Sequence, residues 1–208
     1  MTTEITARLD AIRTALRAQS ISYGELTELQ NLAGHIAPGD VELLEPAGVP
    51  EHGAMTRPAV IDATETEVAI LQSFVTAALW ADAHDENGED VDTSAFTADD
   101  VTADFETWAK VRAMIRAFLT ELEPVPHVTG QGVQADARRI VHEDPQQAGH
   151  DLWLTMRHHG TGFWDRGYKV ATGKLLTELA DRLGTEDASV YVDVDQNGAR
   201  VPRLDYPA

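Results

Sequence analysis

"GHDLWLTMRHHGTGFWDRG", residues 149–167, holds two of the four tryptophans of the chain, three of its eight histidines and four glycines. Leu152 and Leu154 alternate with Trp153, and a period of two is typical of a β-strand. Glycines permit a tight turn, so the stretch predicts a β-hairpin that buries Trp153 and Trp164. The C-terminal part of the chain is therefore expected to contain a sheet.

A second hairpin is predicted downstream, where "SVYVDV" and "ARVPRL" flank "DQNG". Asn197 and Gly198 both tolerate a positive φ, which two-residue hairpin turns require. Between the two hairpins, "KLLTELADRLG" predicts a helix with Leu175, Leu179 and Leu183 inward and Gly184 as its stop. Residues 135–208 are thus predicted to form a small α+β domain, an antiparallel sheet with one packed helix.

Residues 1–123 are predicted to form a helical region, because apolar residues recur there at the steps of an amphipathic helix. A helical hairpin is expected over residues 3–37, with Ser22 and Glu25 as the capping box of its second helix. Its inward side chains share this spacing and are Ile5, Leu9, Ile12, Leu16, Leu26, Leu29, Leu32 and Ile36.

Two long helices that flank an acidic loop are predicted after a connection over residues 50–64. Thr64 with Glu67 predicts the capping box of the first helix, and Thr97 with Asp100 a weaker cap for the second. The side chains expected to face inward are Val68, Leu71, Val75, Leu79, Val101, Phe105, Trp108, Ile115, Leu119 and Leu122. The prolines and glycines of residues 123–132 predict the domain boundary.

The charge balance restricts the classes of partner. The chain has 35 acidic and 16 Lys or Arg residues, for a net charge of −19. This charge repels phosphate backbones and anionic lipids, so direct binding to nucleic acid or membranes is not expected, and basic protein surfaces are favoured. The chain has no cysteine and no long apolar run, which favours a cytoplasmic protein without disulfides or thiolate metal sites.

Residues 149–167 permit two enzymatic interpretations. "HGTG" is similar to an esterase oxyanion turn, but none of the five serines lies in the G-x-S-x-G context that this chemistry needs. Imidazole and carboxylate groups of His150, Asp151, His159 and Asp165 are suitable metal ligands or acid/base groups. Their spacing matches no zinc motif, so the leading prediction has no cofactor, and an enzyme or metal-dependent module stays as the alternative.

"QAGHDLWLT" and "HGTGFWDRG", followed by a helix and "VYVD", resemble a C-terminal block of small, uncharacterised proteins of tailed bacteriophages and prophages, whose usual form is AGHDFWLTRNGHGAGFWDRG. "TAALWADAHDENGEDVD" and the N-terminal "ISYGELTELQNLAGHIAPGDVELLEPAGVPE" resemble further segments of such proteins, the latter actinobacterial and actinophage ones. The resemblance implies a phage-type protein in a bacterial host cytoplasm and carries no known activity. Met156, Arg157 and His158 depart from the block, where the others place Arg, Asn and Gly.

The acidic segment, residues 82–106, contains ten Asp or Glu and no Lys or Arg. It is interpreted either as a solvated loop or as a surface that docks on a cationic site. The leading hypothesis is an interaction protein that binds a basic host protein, as a mimic of nucleic acid and an inhibitor. The predicted binding residues are Asp85, Glu86, Glu89, Asp90, Asp92, Asp99 and Asp100. A virion structural or assembly protein is a further alternative, and homo-oligomerisation stays open.

Overall fold

Helix α1 (Thr3–Arg17) opens the computed structural model and carries the predicted apolar stripe, with Leu9 and Ile12 buried. Ser22 and Glu25 form the predicted capping box of α2 (Tyr23–Asn31), each side chain bonding the backbone N–H of the other residue. The structure describes residues 3–37, 39–47, 64–85, 87–123, 132–195 and 198–207. Nearly all of the predicted connection over residues 50–64, most of the predicted boundary and the binding candidate Glu86 lie outside these ranges.

After the short helix α3 (Val41–Leu44), the two predicted long helices are α4 (Glu65–Asp82) and α5 (Phe105–Glu121). Thr64 accepts a hydrogen bond from the N–H of Glu67, as predicted. The second bond of the capping box, from a backbone N–H to the Glu67 carboxylate, is not formed, because this carboxylate pairs with Arg116 at 2.9 Å.

The start of α5 differs from the prediction. Thr97 and Asp100 do form a capping box, but it opens only a 3-10 turn (Ala98–Asp100). Asp104 is the N-cap of α5 and accepts from the N–H of Thr107 at 2.7 Å. Val101, predicted on the helix, is buried just ahead of a short strand instead.

Three helices follow: α6 (Gly132–Glu143), α7 (Pro145–Met156) and α8 (Val170–Leu183). The predicted hairpin over residues 149–167 is therefore wrong. Asp144 caps α7 and Pro145 opens it, since proline lacks the N–H that a first helical turn leaves unbonded. Residues 151–156 are all buried, so no alternation of exposed and buried side chains distinguished helix from strand.

The second hairpin is confirmed as β4 (Ser189–Val194) and β5 (Arg200–Asp205), with Gly198 at φ +81°. Three two-residue strands complete one sheet: β1 (Ile21–Ser22), β2 (Ala83–His84) and β3 (Thr102–Ala103). The strand order is β1-β3-β5-β4-β2. Strands β2 and β3 run parallel to their partners β4 and β5, so the sheet is mixed rather than antiparallel as predicted.

The α+β class is confirmed, with helices and sheet around a shared core. Helices α4 and α7 pack closely, and the Phe74 and Trp153 rings meet nearly perpendicular to each other with their centroids 5.0 Å apart. The regions on either side of the predicted boundary thus share one sheet and one hydrophobic cluster. Among the described residues, no helix has the length and apolar character of a membrane span.

We predict that stability falls in alkali because of Tyr206, which follows β5. Burial raises the pKa of Tyr206 to about 12, above its usual value of 10. The folded state therefore keeps the phenol proton at pH values where the unfolded chain has lost it. The free energy of unfolding should be unaffected by this group below pH 10 and fall by roughly 2 kcal/mol as the pH rises to 12.

Urea denaturation at pH 9, 10, 11 and 12 tests this expectation. Tyr206→Phe should reduce the loss, and a smaller loss should persist because burial also raises the pKa of Tyr168. An equal alkaline loss in the wild type and in Tyr206→Phe would assign the effect to other groups.

Candidate functional site

The acidic loop, residues 85–100, connects β2 to β3 and is built from hydrogen-bonded turns. The Asp85 carboxylate accepts from the backbone N–H of Asn87 at 2.8 Å and of Glu89 at 3.0 Å. Asp92 accepts from the N–H of Ser94 at 2.9 Å. The bond from Glu89 is the main cause that lowers the pKa of Asp85, and the bond from Ser94 lowers the pKa of Asp92. Both carboxylates are therefore charged at neutral pH.

The other predicted binding residues in the described part of the loop are exposed: Glu89, Asp90, Asp99 and Asp100. Asp100 is engaged by the N–H and hydroxyl of Thr97, each at 2.8 Å. Over the described ranges, none of the loop carboxylates lies within ion-pair distance of a basic side chain. Their negative charge mostly faces solvent, while His84 acts through space on half-buried Asp85 and Arg200 acts through space on Asp92.

Contacts with the sheet hold the acidic loop in place. The N–H of Val91 donates to the carbonyl of Ala83 at 3.2 Å. Arg200 of β5 lies over the Phe96 ring at 5.7 Å and donates to the carbonyl of Asp92 at 3.5 Å. The loop and the hairpin enclose a groove of about 710 Å³. Its lining comprises Asp85, Val91, Tyr191, Val192, Asp193, Val194 and Arg200.

Of the four alternative site residues, His150 and Asp151 are neighbours on α7, whereas His159 and Asp165 bond other partners. Asp151 is fully buried, and Arg166 donates to both of its oxygens, with Nε at 2.9 Å from each. This bidentate contact raises the pKa of Arg166. Gln147 donates to the same carboxylate at 2.9 Å, whereas His150 Nδ1 is 3.7 Å away, beyond hydrogen-bond distance.

His159 and Asp165 do not join Asp151. His159 Nε2 lies 2.9 Å from Asp82 Oδ2, and that oxygen also accepts from Trp153 Nε1 at 2.5 Å. Asp165 is exposed and accepts from the Thr161 hydroxyl at 3.0 Å. In the part of the chain that the structure describes, no three His, Asp or Glu residues are grouped to hold a metal ion.

Residues 149–167 instead form a packing element. A side-chain carbon on Gly149 would lie 2.2 Å from the carbonyl oxygen of Ile70, so α7 approaches α4 as closely as only glycine allows. The Thr155 hydroxyl accepts from the N–H of Phe163 at 3.1 Å, which fixes the turn after α7. Trp153 is buried as predicted, but Trp164 is 47% exposed, which corrects the prediction for that ring.

Sequence reasoning missed Asp82, which binds residues of this element from a position 71 residues earlier than Trp153. It also missed the Asp151–Arg166 ion pair. The opposite charges of these two residues within one short segment were a signal that could have found it. Comparison with protein-family models, with curated proteins and with solved structures found no match for the chain.

Proposed function

We propose that this chain is a phage-type, non-enzymatic interaction protein that binds a basic protein of a bacterial host through the acidic loop, in the host cytoplasm. One observation carries the proposal. Seven carboxylates and no basic residue occur between residues 85 and 100, and the described part of this loop holds its carboxylates toward solvent on a backbone bonded to itself and to the sheet.

Electrostatics explains why such a loop favours a basic partner. Like charges at close spacing repel, and this repulsion opposes folding unless a cation lies nearby. A basic surface that docks on the loop relieves this repulsion and is also attracted over a distance, which raises the association rate. Because the turns already order the loop, little conformational entropy is lost on binding.

The partner class that fits best is a nucleic-acid-binding protein. Its cationic cleft is built to neutralise a duplex that carries one charge per ~1.7 Å of axis, and closely spaced carboxylates present a field of the same sign. The protein would thus compete with nucleic acid and inhibit its partner. The enzymatic alternative has less support, because the described candidates are dispersed and Asp151 is saturated by Arg166 and Gln147.

Affinity capture from a bacterial lysate, quantified by mass spectrometry, tests the proposal. The test variant replaces the seven predicted binding residues with Asn or Gln. A matched control neutralises seven acids elsewhere, so that both variants carry the same net charge, at Glu4, Glu45, Glu65, Asp181, Glu186, Asp187 and Asp205.

The wild type and the control should retain the same basic proteins, and added duplex DNA should displace them. The loop variant should retain roughly tenfold less of each, a loss of about 1.4 kcal/mol in binding. Equal retention by both variants would attribute capture to overall charge and contradict a role for the acidic loop.

A further inference from the structure

Another cavity, of about 470 Å³, lies between α2, the residues that follow α3, and α5. It shares no lining residue with the groove beside the acidic loop. Helix α5 contributes Phe105, Ala109, Arg112, Ala113 and Arg116, which recur at the spacing of one helix face. The two alanines on this face are small and leave the space that forms the cavity.

The two arginines of this wall share one carboxylate. Arg116 Nε donates to Glu67 Oε1 at 2.9 Å, whereas Arg112 Nε lies 3.6 Å from the same oxygen, beyond hydrogen-bond distance. A guanidinium keeps its positive charge in proteins, so two positive charges meet one negative charge here. The cluster of Arg112, Arg116 and Glu67 therefore has an excess of positive charge in a chain that is otherwise strongly negative.

Several donors of this cluster have no acceptor. The side chain of Arg112 is only 10% exposed, and its Nε and Nη2 atoms have no hydrogen-bond partner among the described residues. Arg116 Nη2 is in the same situation. These three atoms are half of the six buried side-chain nitrogens that lack a partner in the described part of the chain. Buried donors are nearly always satisfied, because burial removes their hydration, so this concentration of unsatisfied donors points to an acceptor from outside the chain.

We propose that this cavity binds a small organic carboxylate, with its oxygens on Arg112 and Arg116 and its apolar body against Leu26, Pro46 and Phe105. A planar carboxylate matches the parallel donors of a guanidinium and balances the excess positive charge. The volume lies within the range of small-molecule sites, and more than half of the lining residues are apolar. The ligand class is therefore an acid with an aromatic or aliphatic body.

The surrounding charges make such a site selective. The net charge of −19 repels anions from the molecule as a whole, so an anion is retained only where cations face it directly. Glu45 also lines the cavity, is exposed, and makes no ion pair with either arginine among the described residues. Glu45 and Gln30 thus offer hydrogen-bond acceptors away from the arginines, which favours a ligand with one acidic end and a donor group elsewhere.

Titration of the full chain with benzoate, followed by NMR, tests the site. Benzoate should bind with a dissociation constant of about 1 mM or lower and should shift the side-chain Nε–H signals of Arg112 and Arg116. Benzamide has the same shape without the charge, and acetate has the charge without the ring. Each should bind about tenfold more weakly than benzoate, because one lacks the charged hydrogen bonds and the other lacks the apolar contact.

Arg112→Met should weaken benzoate binding by roughly tenfold and leave the melting temperature unchanged or raise it. The variant removes a buried charge with unsatisfied donors, while Arg116 still pairs with Glu67. A purely structural role of Arg112 would instead lower the melting temperature. Arg139→Met is the matched control, because it removes the same charge from an exposed position of α6 and should keep the affinity. Glu45→Gln should tighten benzoate binding by roughly threefold, since it removes a like charge.

Absence of saturable benzoate binding to the wild type would overturn the site, and so would equal affinities of the wild type and Arg112→Met. Equal binding of benzoate and benzamide would attribute binding to the apolar wall alone and contradict a carboxylate site. If Arg112→Met does not fold, the comparison of the two compounds in the wild type, with the Arg112 Nε–H signal, still decides. Capture by the acidic loop is a separate measurement, so the proposed function can fail or hold independently.

Discussion

Asp151→Asn is expected to lower the free energy of unfolding by about 3–5 kcal/mol, as loss of one partner of a buried ion pair typically does. The Asp151 carboxylate is fully buried and accepts from Arg166 and Gln147. Arg166 is 28% exposed and is held against α7, so its charge would keep little hydration and would lose the carboxylate that it bonds. Urea denaturation at pH 7, with the midpoint and slope compared, measures the loss.

Asp165→Asn is the matched control, because Asp165 is exposed, accepts a hydrogen bond from Thr161 and acts on Arg166 without a hydrogen bond among the described residues. Its effect should stay within about 0.5 kcal/mol. Replacing Arg166 with Gln in the Asp151→Asn background should cost less than in the wild type, since the two residues act as a pair. Additive effects of the two substitutions would argue against the pair as the source of stability.

Gly149→Ala is expected to destabilise the fold by about 1–3 kcal/mol or more, although alanine is the better helix former. The added carbon would lie 2.2 Å from the carbonyl oxygen and 2.9 Å from the carbonyl carbon of Ile70. These are backbone atoms of a packed helix, so α4 and α7 have to separate. The separation also disturbs the contact between Phe74 and Trp153.

Gly132→Ala is the matched control, and it is not expected to lower stability. Gly132 lies at the start of α6, and no atom of the described residues that it packs against lies within 4 Å of the added carbon, so this substitution should leave stability unchanged or raise it slightly. Thermal denaturation of both variants followed by circular dichroism compares them. A stable Gly149→Ala would mean that α4 and α7 can part without loss, contrary to the close packing described.

Local signals were predicted well from the sequence. The capping boxes at Ser22 and Thr97 involve residues three positions apart, so they form wherever the chain turns in that way. The glycine of Asn197-Gly198 likewise predicted the β4–β5 hairpin, because a positive φ is a preference of the residue itself, and Gly198 adopts one. In the predicted binding surface, the turns at Asp85 and Asp92 are local in the same sense, because each carboxylate bonds the backbone of a residue two positions later.

Long-range contacts were not predictable in this way. The second half of helix α7 reads as a strand because residues 151–156 are all buried, which removes the periodic pattern of an amphipathic helix. The parallel pairing of Ala83 with Val190 joins segments more than a hundred residues apart, and no local motif encodes it. Asp82 reaches Trp153 and His159 only because α4 packs on α7.

By itself, the sequence determined the strongly negative charge, the α+β class, the Ser22–Glu25 capping box and the terminal hairpin, since these depend on composition or on neighbours within a few residues. Only the tertiary structure decided that residues 149–167 are a helix and its turn, that Arg166 pairs with Asp151, and that the acidic loop and the β4–β5 hairpin line one groove. These outcomes depend on which distant segments pack together, and packing is selected by burial of the whole chain rather than by any single stretch of it.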